Sequence, residues 1–383
     1  MTVRENFCGS DPAAAMTDRF SSPATWERAD VRWDSSDQKT LVCCRVRDET
    51  HDVRTFVFSA KDGYPFSFEP GQFITVSAGI EGVSVTRCYT ISSPPTRPYT
   101  LSITVKRTPS GVMSNWLHGN MRPGVELLAF GPSGIFTPSS GPAAKVLYLS
   151  AGSGVTPLMS MTRAAIDLGL NRDIVFVHSA RTPADIIFRD ELERLSAEAD
   201  RLKVILICEV TRSEPDWPGP TGRLSLELLQ RHVPDYRDRE IFTCGPSGYM
   251  NSARALLAQG GHDPARYHQE SFNFTEVVEP AVEAVDALRQ TGEEGARTFT
   301  VRLAKSGKTF PMSGTETVLS VARKAGVALS SSCSQGICGT CKTKVLDGTV
   351  DMQHNGGIRQ REIDKGLRLM CCSRPTSDLV LDL

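Results

Sequence analysis

The stretch CSQGICGTC, residues 333–341, constrains this chain more than any other. Cys333, Cys338 and Cys341 stand in C-x4-C-x2-C spacing, with the small residues Ser334, Gly336, Gly339 and Thr340 among those between them. This is one of the spacings at which thiolates hold an iron–sulfur cluster. The small residues suit that role, because a loop wrapped on an inorganic core turns backbone N–H groups toward sulfur and glycine permits the necessary dihedrals. A cluster needs a fourth thiolate, and Cys371 and Cys372, in LMCCSRPTSDLVLDL, are the candidates. Adjacent residues of an extended segment point to opposite sides, so only one of the two reaches the metal. The competing readings are a disulfide pair and a tetrahedral zinc site. Zinc prefers two separated C-x2-C pairs or added histidines, and the nearest imidazole, His354, stands by itself.

Composition narrows what this tail is joined to. A chain of 383 residues holds two or three domains. A formal net charge of −1 gives no reason to expect nucleic acid or an anionic membrane as a partner. There is no apolar run of membrane-spanning length and no charged-then-apolar leader, so a cytoplasmic protein is expected. Eleven cysteines, an odd number, fit a reducing compartment better than a disulfide framework. Cys8, Cys43, Cys44, Cys88 and Cys208 read as ordinary thiols.

Along the chain, residues 1–36 mix charge, Ser and Pro with little periodicity and read as a lead-in. From 37 to 140, short β-rich runs (LVCCRV, VRTFVFSA, QFITVSA, YTLSITVKR, VELLAF) alternate with turn clusters such as KDGYP, EPGQ and SSPPTRP, a pattern that argues for an antiparallel barrel. From 141 to 275 the pattern becomes strand, helix, strand: KVLYLS, a helix from about 156, DIVFVHSA, a helix over FRDELERLSAEA, LKVILICEV and REIFTCG. Such alternation means a parallel α/β sheet. Residues 276–297, rich in Glu, Ala and Gly, read as a linker with a mean reach of roughly 25 Å if flexible. FTVRLAKSGKTF then opens a final domain, 298–383.

Three motifs carry chemistry. RCYTISS, residues 87–93, falls on a predicted barrel strand. Arg, Tyr and hydroxyls on a strand are often structural, yet an isoalloxazine ring needs an aromatic platform and a hydrogen-bond donor near N5, and its pyrophosphate needs a guanidinium. Tyr89, Thr90 and Arg87 supply these in turn. GVMSNWL offers Gly111 and Ser114 at a predicted helix start, where free N–H groups and the helix dipole hold phosphate. AGSGVTP, residues 151–157, is a glycine-rich turn between a strand and a helix, lacking both the P-loop lysine and the third glycine of the dinucleotide fingerprint.

Taken in order, these motifs resemble the ferredoxin-NADP reductase superfamily: RCYTISS its R-x-Y-S/T-x-x-S flavin motif, GVMS its G-x-x-S phosphate turn, AGSGVTP its G-x-G-x-T-P turn, and Cys244, Gly245 and Pro246 its C-G-P turn near the nicotinamide. The resemblance implies FAD on a six-stranded barrel, held by Arg87, Tyr89, Thr90, Ser93, Gly111 and Ser114. It also implies NADH or NADPH at Gly152, Gly154, Thr156, Pro157, Cys244, Gly245 and Pro246. The terminal block resembles plant-type ferredoxins, a β-grasp 2Fe-2S fold whose last ligand stands four residues before a proline. Pro375 therefore selects Cys371 to join Cys333, Cys338 and Cys341. YHQESF, 267–272, resembles the segment that ends the reductase module beside the flavin, which implies Glu270 and Phe272 near the hydride path. Arg181, in HSARTP, stands where the superfamily distinguishes NADPH from NADH. A guanidinium forks well onto a 2′-phosphate, but an exposed arginine is an equally good reading, and relatives with HSAR generally accept NADH.

The whole is expected to be an NAD(P)H-dependent oxidoreductase in which a hydride passes to flavin and single electrons pass through the cluster. Thr90 is expected at N5, Tyr89 on the ring and Cys244 in the nicotinamide pocket. No C-x-H paired with C-x2-H occurs, so no Rieske centre resides in this chain and a terminal oxygenase must be a separate protein. SNWLH, VHSAR, HNGGI and CCSRP make the chain similar to reductase components of glycine betaine monooxygenase and stachydrine demethylase systems, which implies a Rieske-type oxygenase partner. The alternatives are a reductase of the hybrid-cluster protein and, in another class, a redox sensor or passive electron carrier.

Overall fold

A computed structural model describes residues 38–138, 144–271, 297–327, 329, 336, 339, 341–354, 358 and 360–383. The expected lead-in, the linker apart from Arg297, and Cys333, Cys338 and Phe272 lie outside the described residues.

Six antiparallel strands, β1 (Gln38–Thr50), β2 (Val53–Ala60), β3 (Phe73–Ile80), β4 (Val83–Thr90), β5 (Leu101–Lys106) and β6 (Glu126–Ser133), lie in the order β4-β3-β6-β1-β2-β5. A bridge between Ile91 and Ile103 ties the end of β4 back to β5 and closes the sheet. Closure follows from the alternation of each strand: Phe56 and Phe58 of β2 meet Ile74, Val76, Leu101 and Ile103 in one core, and Met113 and Leu117 of the helix Val112–Asn120 plug its end. Each such side chain contributes about 1.5–3 kcal/mol on burial.

The second module is a parallel sheet of β7 (Lys145–Ala151), β8 (Asp173–Ala180), β9 (Leu202–Cys208), β10 (Glu240–Gly245) and β11 (Tyr267–Ser271), in the order β11-β10-β7-β8-β9. Both faces are covered, which is why its strands read as continuous apolar runs. Val146, Tyr148, Phe176 and Phe242 pack beneath the helix Val155–Asp167, and Leu147, Leu149, Val175 and Val177 pack with Leu257 of the helix Ser247–Gln259. From β7 the order runs outward through β8 and β9, then reverses to β10 and β11. Ligands of open α/β sheets bind at the carboxyl ends of the strands at such a reversal. β11 is a strand that periodicity did not suggest, because YHQES alternates no apolar residues; its register sets Glu270 beside Cys244.

The third module arranges β12 (Thr298–Leu303), β13 (Thr309–Ser313), β14 (Lys342–Asp347), β16 (Leu367–Leu369) and β18 (Leu379–Leu381) in the order β13-β12-β18-β14-β16, with β15 (Val350–Met352) and β17 (Ser373–Pro375) as a small ribbon. The helix Val318–Lys324, capped by Thr317, buries Val318, Leu319 and Ala322 against Val301, Leu303, Phe310 and Leu369 in the β-grasp manner.

Candidate functional site

At the reversal between β7 and β10 two backbone turns touch. Gly152 has φ +53°, and a Cβ built on Gly154 would come within 2.3 Å of the Cys244 carbonyl oxygen and 2.5 Å of the Gly245 nitrogen. Only glycine allows that approach. Thr156 Oγ1 donates to the Ser153 carbonyl at 3.0 Å, and Pro157 sits in the first helical turn, where a missing N–H costs no intrahelical bond. Pro246 precedes the helix Ser247–Gln259. The two turns thus present two helix starts, with their unbonded N–H groups, to one place.

The barrel supplies the other side. Along β4, Arg87 pairs with Val76 and Tyr89 with Ile74, while Cys88 and Thr90 alternate to the opposite face. Tyr89 packs against the barrel core and burial pushes its hydroxyl pKa up. Arg87 Nη1 donates to the Thr86 carbonyl at 2.8 Å. Among the described residues, Thr90 Oγ1 and Glu270 Oε2 are both buried without a hydrogen-bond partner. Each such orphan costs about 1–3 kcal/mol, which fits a polar ligand atom at each. Burial, and then the nearness of Cys88, push the Glu270 carboxyl up to about 8, which favours its protonated form at pH 7. Burial, and then Glu270, raise the Cys244 thiol well above its ordinary range. β4 of the barrel and β10–β11 of the α/β sheet therefore face each other, in a site that suits an isoalloxazine ring. Cys88, read from sequence as an ordinary thiol, belongs to this face; its place two residues before Thr90 was the available signal.

Ser93 and Ser114 have their hydroxyls engaged locally. Ser93 Oγ accepts from the Ser102 N–H at 2.9 Å, and Ser114 Oγ donates to the Gly111 carbonyl at 3.0 Å. A Cβ on Gly111 would lie 2.3 Å from Ser114 Oγ and 2.1 Å from Thr108 Oγ1, so a side chain here would have to displace those two hydroxyls. Arg181, at the end of β8, is 66% exposed, with Nη2 3.4 Å from Asp185 Oδ1. Ser160 and Arg163, buried polar residues of the helix Val155–Asp167 outside the sequence motifs, bond to the Ser93 and Ser92 carbonyls. An arginine within the apolar run LMSMTRAAI was the only hint.

In the terminal module Cys341 and Cys371 come together: the Cys371 N–H donates to Cys341 Sγ at 3.4 Å and the Gly336 N–H to Cys371 Sγ at 3.2 Å. N–H groups aimed at sulfur are what a thiolate-held cluster requires. Gly336 has φ +70°, and a Cβ there would lie 2.9 Å from Cys372 Sγ. Cys372 Sγ points to the Leu369 carbonyl at 3.7 Å.

Comparison with known proteins agrees with each module. Residues 43–137 match the oxidoreductase FAD-binding domain, 148–255 the oxidoreductase NAD-binding domain and 301–376 the 2Fe-2S iron–sulfur cluster binding domain. With two nucleotide modules in series with an iron–sulfur module, this is an NAD(P)H-dependent FAD and 2Fe-2S oxidoreductase. The glycine betaine monooxygenase reductase subunit of Pseudomonas aeruginosa (strain UCBPP-PA14) is 43% identical over 96% of this chain and 100% of its own length. The stachydrine N-demethylase reductase subunit of Rhizobium meliloti (strain 1021) is 38% identical over 89% of this chain and 95% of its own. Among solved structures, phthalate dioxygenase reductase aligns with a TM-score of 0.55 at 26% identity, covering 90% of this chain and 98% of that one. The chain belongs to the family of reductase components of oxygenase systems.

Because the fold holds Glu270 neutral, its contribution to stability is lost as pH rises from the ordinary glutamate range through about 8. In flavin-free protein Glu270→Gln is expected to melt higher than wild type at pH 9 and nearly with it at pH 4. Equal melting temperatures at pH 9 would contradict the assignment.

Proposed function

We propose that this chain is the reductase of a two-component Rieske-type monooxygenase system that removes an N-methyl group from a quaternary ammonium of the glycine betaine or stachydrine kind, in the cytoplasm. The observation that carries the proposal is the end-to-end likeness to the glycine betaine reductase subunit, 96% of this chain against 100% of the relative. The chain itself has no C-x-H and C-x2-H pair, which supports an oxygenase on a separate polypeptide.

Bound, FAD and the cluster supply the redox chemistry, hydride uptake by one and single-electron transfer by the other. The chain's residues bind and orient, in modules proposed at 37–140, 141–275 and 298–383 with the connection at 276–297. Arg87 and the Gly111–Ser114 turn take the FAD pyrophosphate, Tyr89 stacks on the ring, Thr90 Oγ1 hydrogen-bonds N5, and Ser93 braces the strand end against β5. Gly152, Gly154, Thr156 and Pro157, with Gly245 and Pro246, hold the dinucleotide. Cys244 shapes the nicotinamide pocket, and Glu270, neutral, donates to the edge of the ring system. Arg181, 66% exposed and 3.4 Å from Asp185, is placed where NADPH and NADH are distinguished. Cys333, Cys338, Cys341 and Cys371 ligate the cluster.

Two experiments test this. Cys371→Ser is expected to lose the cluster and cytochrome c reduction while keeping ferricyanide reduction at the flavin, whereas Cys372→Ser keeps all three; the reverse pattern would move the fourth ligand to Cys372. Mixed with a purified Rieske oxygenase active on glycine betaine, NADH and glycine betaine, the protein is expected to support formaldehyde release that needs both components. Electron delivery to a hybrid-cluster protein with none to the oxygenase would overturn the partner assignment.

A further inference from the structure

The helix Val155–Asp167 grips both nucleotide modules. It begins in the Gly152–Gly154 turn, and along one face it carries Ser160, Arg163 and Asp167, positions that share a side of a helix. Ser160 Oγ donates to the Ser93 carbonyl at 2.7 Å, and Arg163 Nη1 donates to the Ser92 carbonyl at 2.5 Å. Asp167 accepts from Arg97 Nη2 at 2.9 Å and Nε at 3.0 Å. The loop these residues hold, 92–97, runs directly out of Thr90, the end of β4.

Arg163 also reaches the opposite way. Its Nε and Nη2 bond Glu191 Oε1 and Oε2 at 2.8 and 2.6 Å, and its guanidinium lies 4.7 Å from the centre of the Phe188 ring. Phe188, at φ +61°, joins the segment that starts at Arg181 to the helix Arg189–Glu198. A buried guanidinium that satisfies a carboxylate bidentately and a carbonyl besides uses a planar fork that lysine lacks.

We infer that Arg163, with Ser160, is a positioning residue for hydride transfer: through the Ser92 and Ser93 carbonyls it fixes the strand end bearing Thr90 relative to the glycine turn at the start of the same helix. The ruler between the two is a helix, rigid along its hydrogen-bonded length. General stabilisation of the fold would spread over the whole molecule. The bonds here converge on two consecutive carbonyls just beyond the residue placed at the flavin.

The test uses the holoenzyme with FAD and cluster loaded, in the variants Arg163→Gln, Arg163→Lys and Ser160→Ala. Three quantities are read: amide hydrogen exchange over 91–97, the NADH dissociation constant, and single-turnover flavin reduction with NADH carrying hydrogen or deuterium at the transferred position. For Arg163→Gln exchange over 91–97 is expected to accelerate, and flavin reduction to slow by about tenfold or more with an undiminished isotope effect, while the NADH dissociation constant changes by less than about twofold. Arg163→Lys falls between Arg163→Gln and wild type. Ser160→Ala, which removes one hydroxyl and no charge, moves exchange and rate the same way by less, and it carries the test if Arg163→Gln fails to fold. Unchanged exchange over 91–97 in Ser160→Ala, or a loss that appears wholly as weaker NADH binding, would overturn the inference.

Discussion

The site depends first on a contact without side chains. Gly154 lies so close to Cys244 and Gly245 that a methyl group between them would sit 2.3 Å from a carbonyl oxygen. That approach is available only where β7 and β10 are neighbours and the strand order reverses, so topology and one glycine together bring the two turns into contact at the carboxyl ends of the strands. Elements further along the chain inherit that position. The helix leaving the Gly154 turn carries Ser160 and Arg163 to the carbonyls of Ser93 and Ser92 beyond β4, and β10 carries Cys244 beside Glu270 of β11.

Electrostatics at the junction run toward neutrality rather than charge. Burial favours the protonated form of Glu270 and the thiol form of Cys244, and Thr90 Oγ1 has no partner among the described residues. Such groups destabilise the unliganded fold, since an unmade buried hydrogen bond costs more than a made one contributes. A site that leaves them unsatisfied is preorganised for a polar, largely uncharged ring edge. The cluster module shows a related economy: the N–H groups of Gly336 and Cys371 already point at the sulfurs of Cys371 and Cys341.

The architecture was legible in the chain because each module announces itself through a different period: short alternating runs for the barrel, apolar runs between helices for the parallel sheet, and closely spaced cysteines with glycines for the cluster loop. Glycines at 152, 154 and 111 were legible for a physical reason, since each permits a backbone conformation or approach that a side chain would obstruct. β11 was not legible as a strand: an edge strand of mostly polar residues breaks the apolar pattern that marks its neighbours. The hydroxyls of Ser93 and Ser114 also bond locally, to the Ser102 N–H and the Gly111 carbonyl, which no spacing shows. Arg163 was invisible because its partners, Ser92 and Glu191, are far from it in sequence and meet it only through the tertiary fold.

The central claim is that electrons enter as a hydride at one site and leave singly at another within one chain. An anaerobic titration of the purified protein with NADH, followed by visible absorption and then by electron paramagnetic resonance of the reduced sample, tests it most directly. Loss of the flavin band together with a rhombic 2Fe-2S signal is the predicted result. Loss of the flavin band with no iron signal, in protein shown to contain iron and sulfide, would contradict the relay from flavin to cluster.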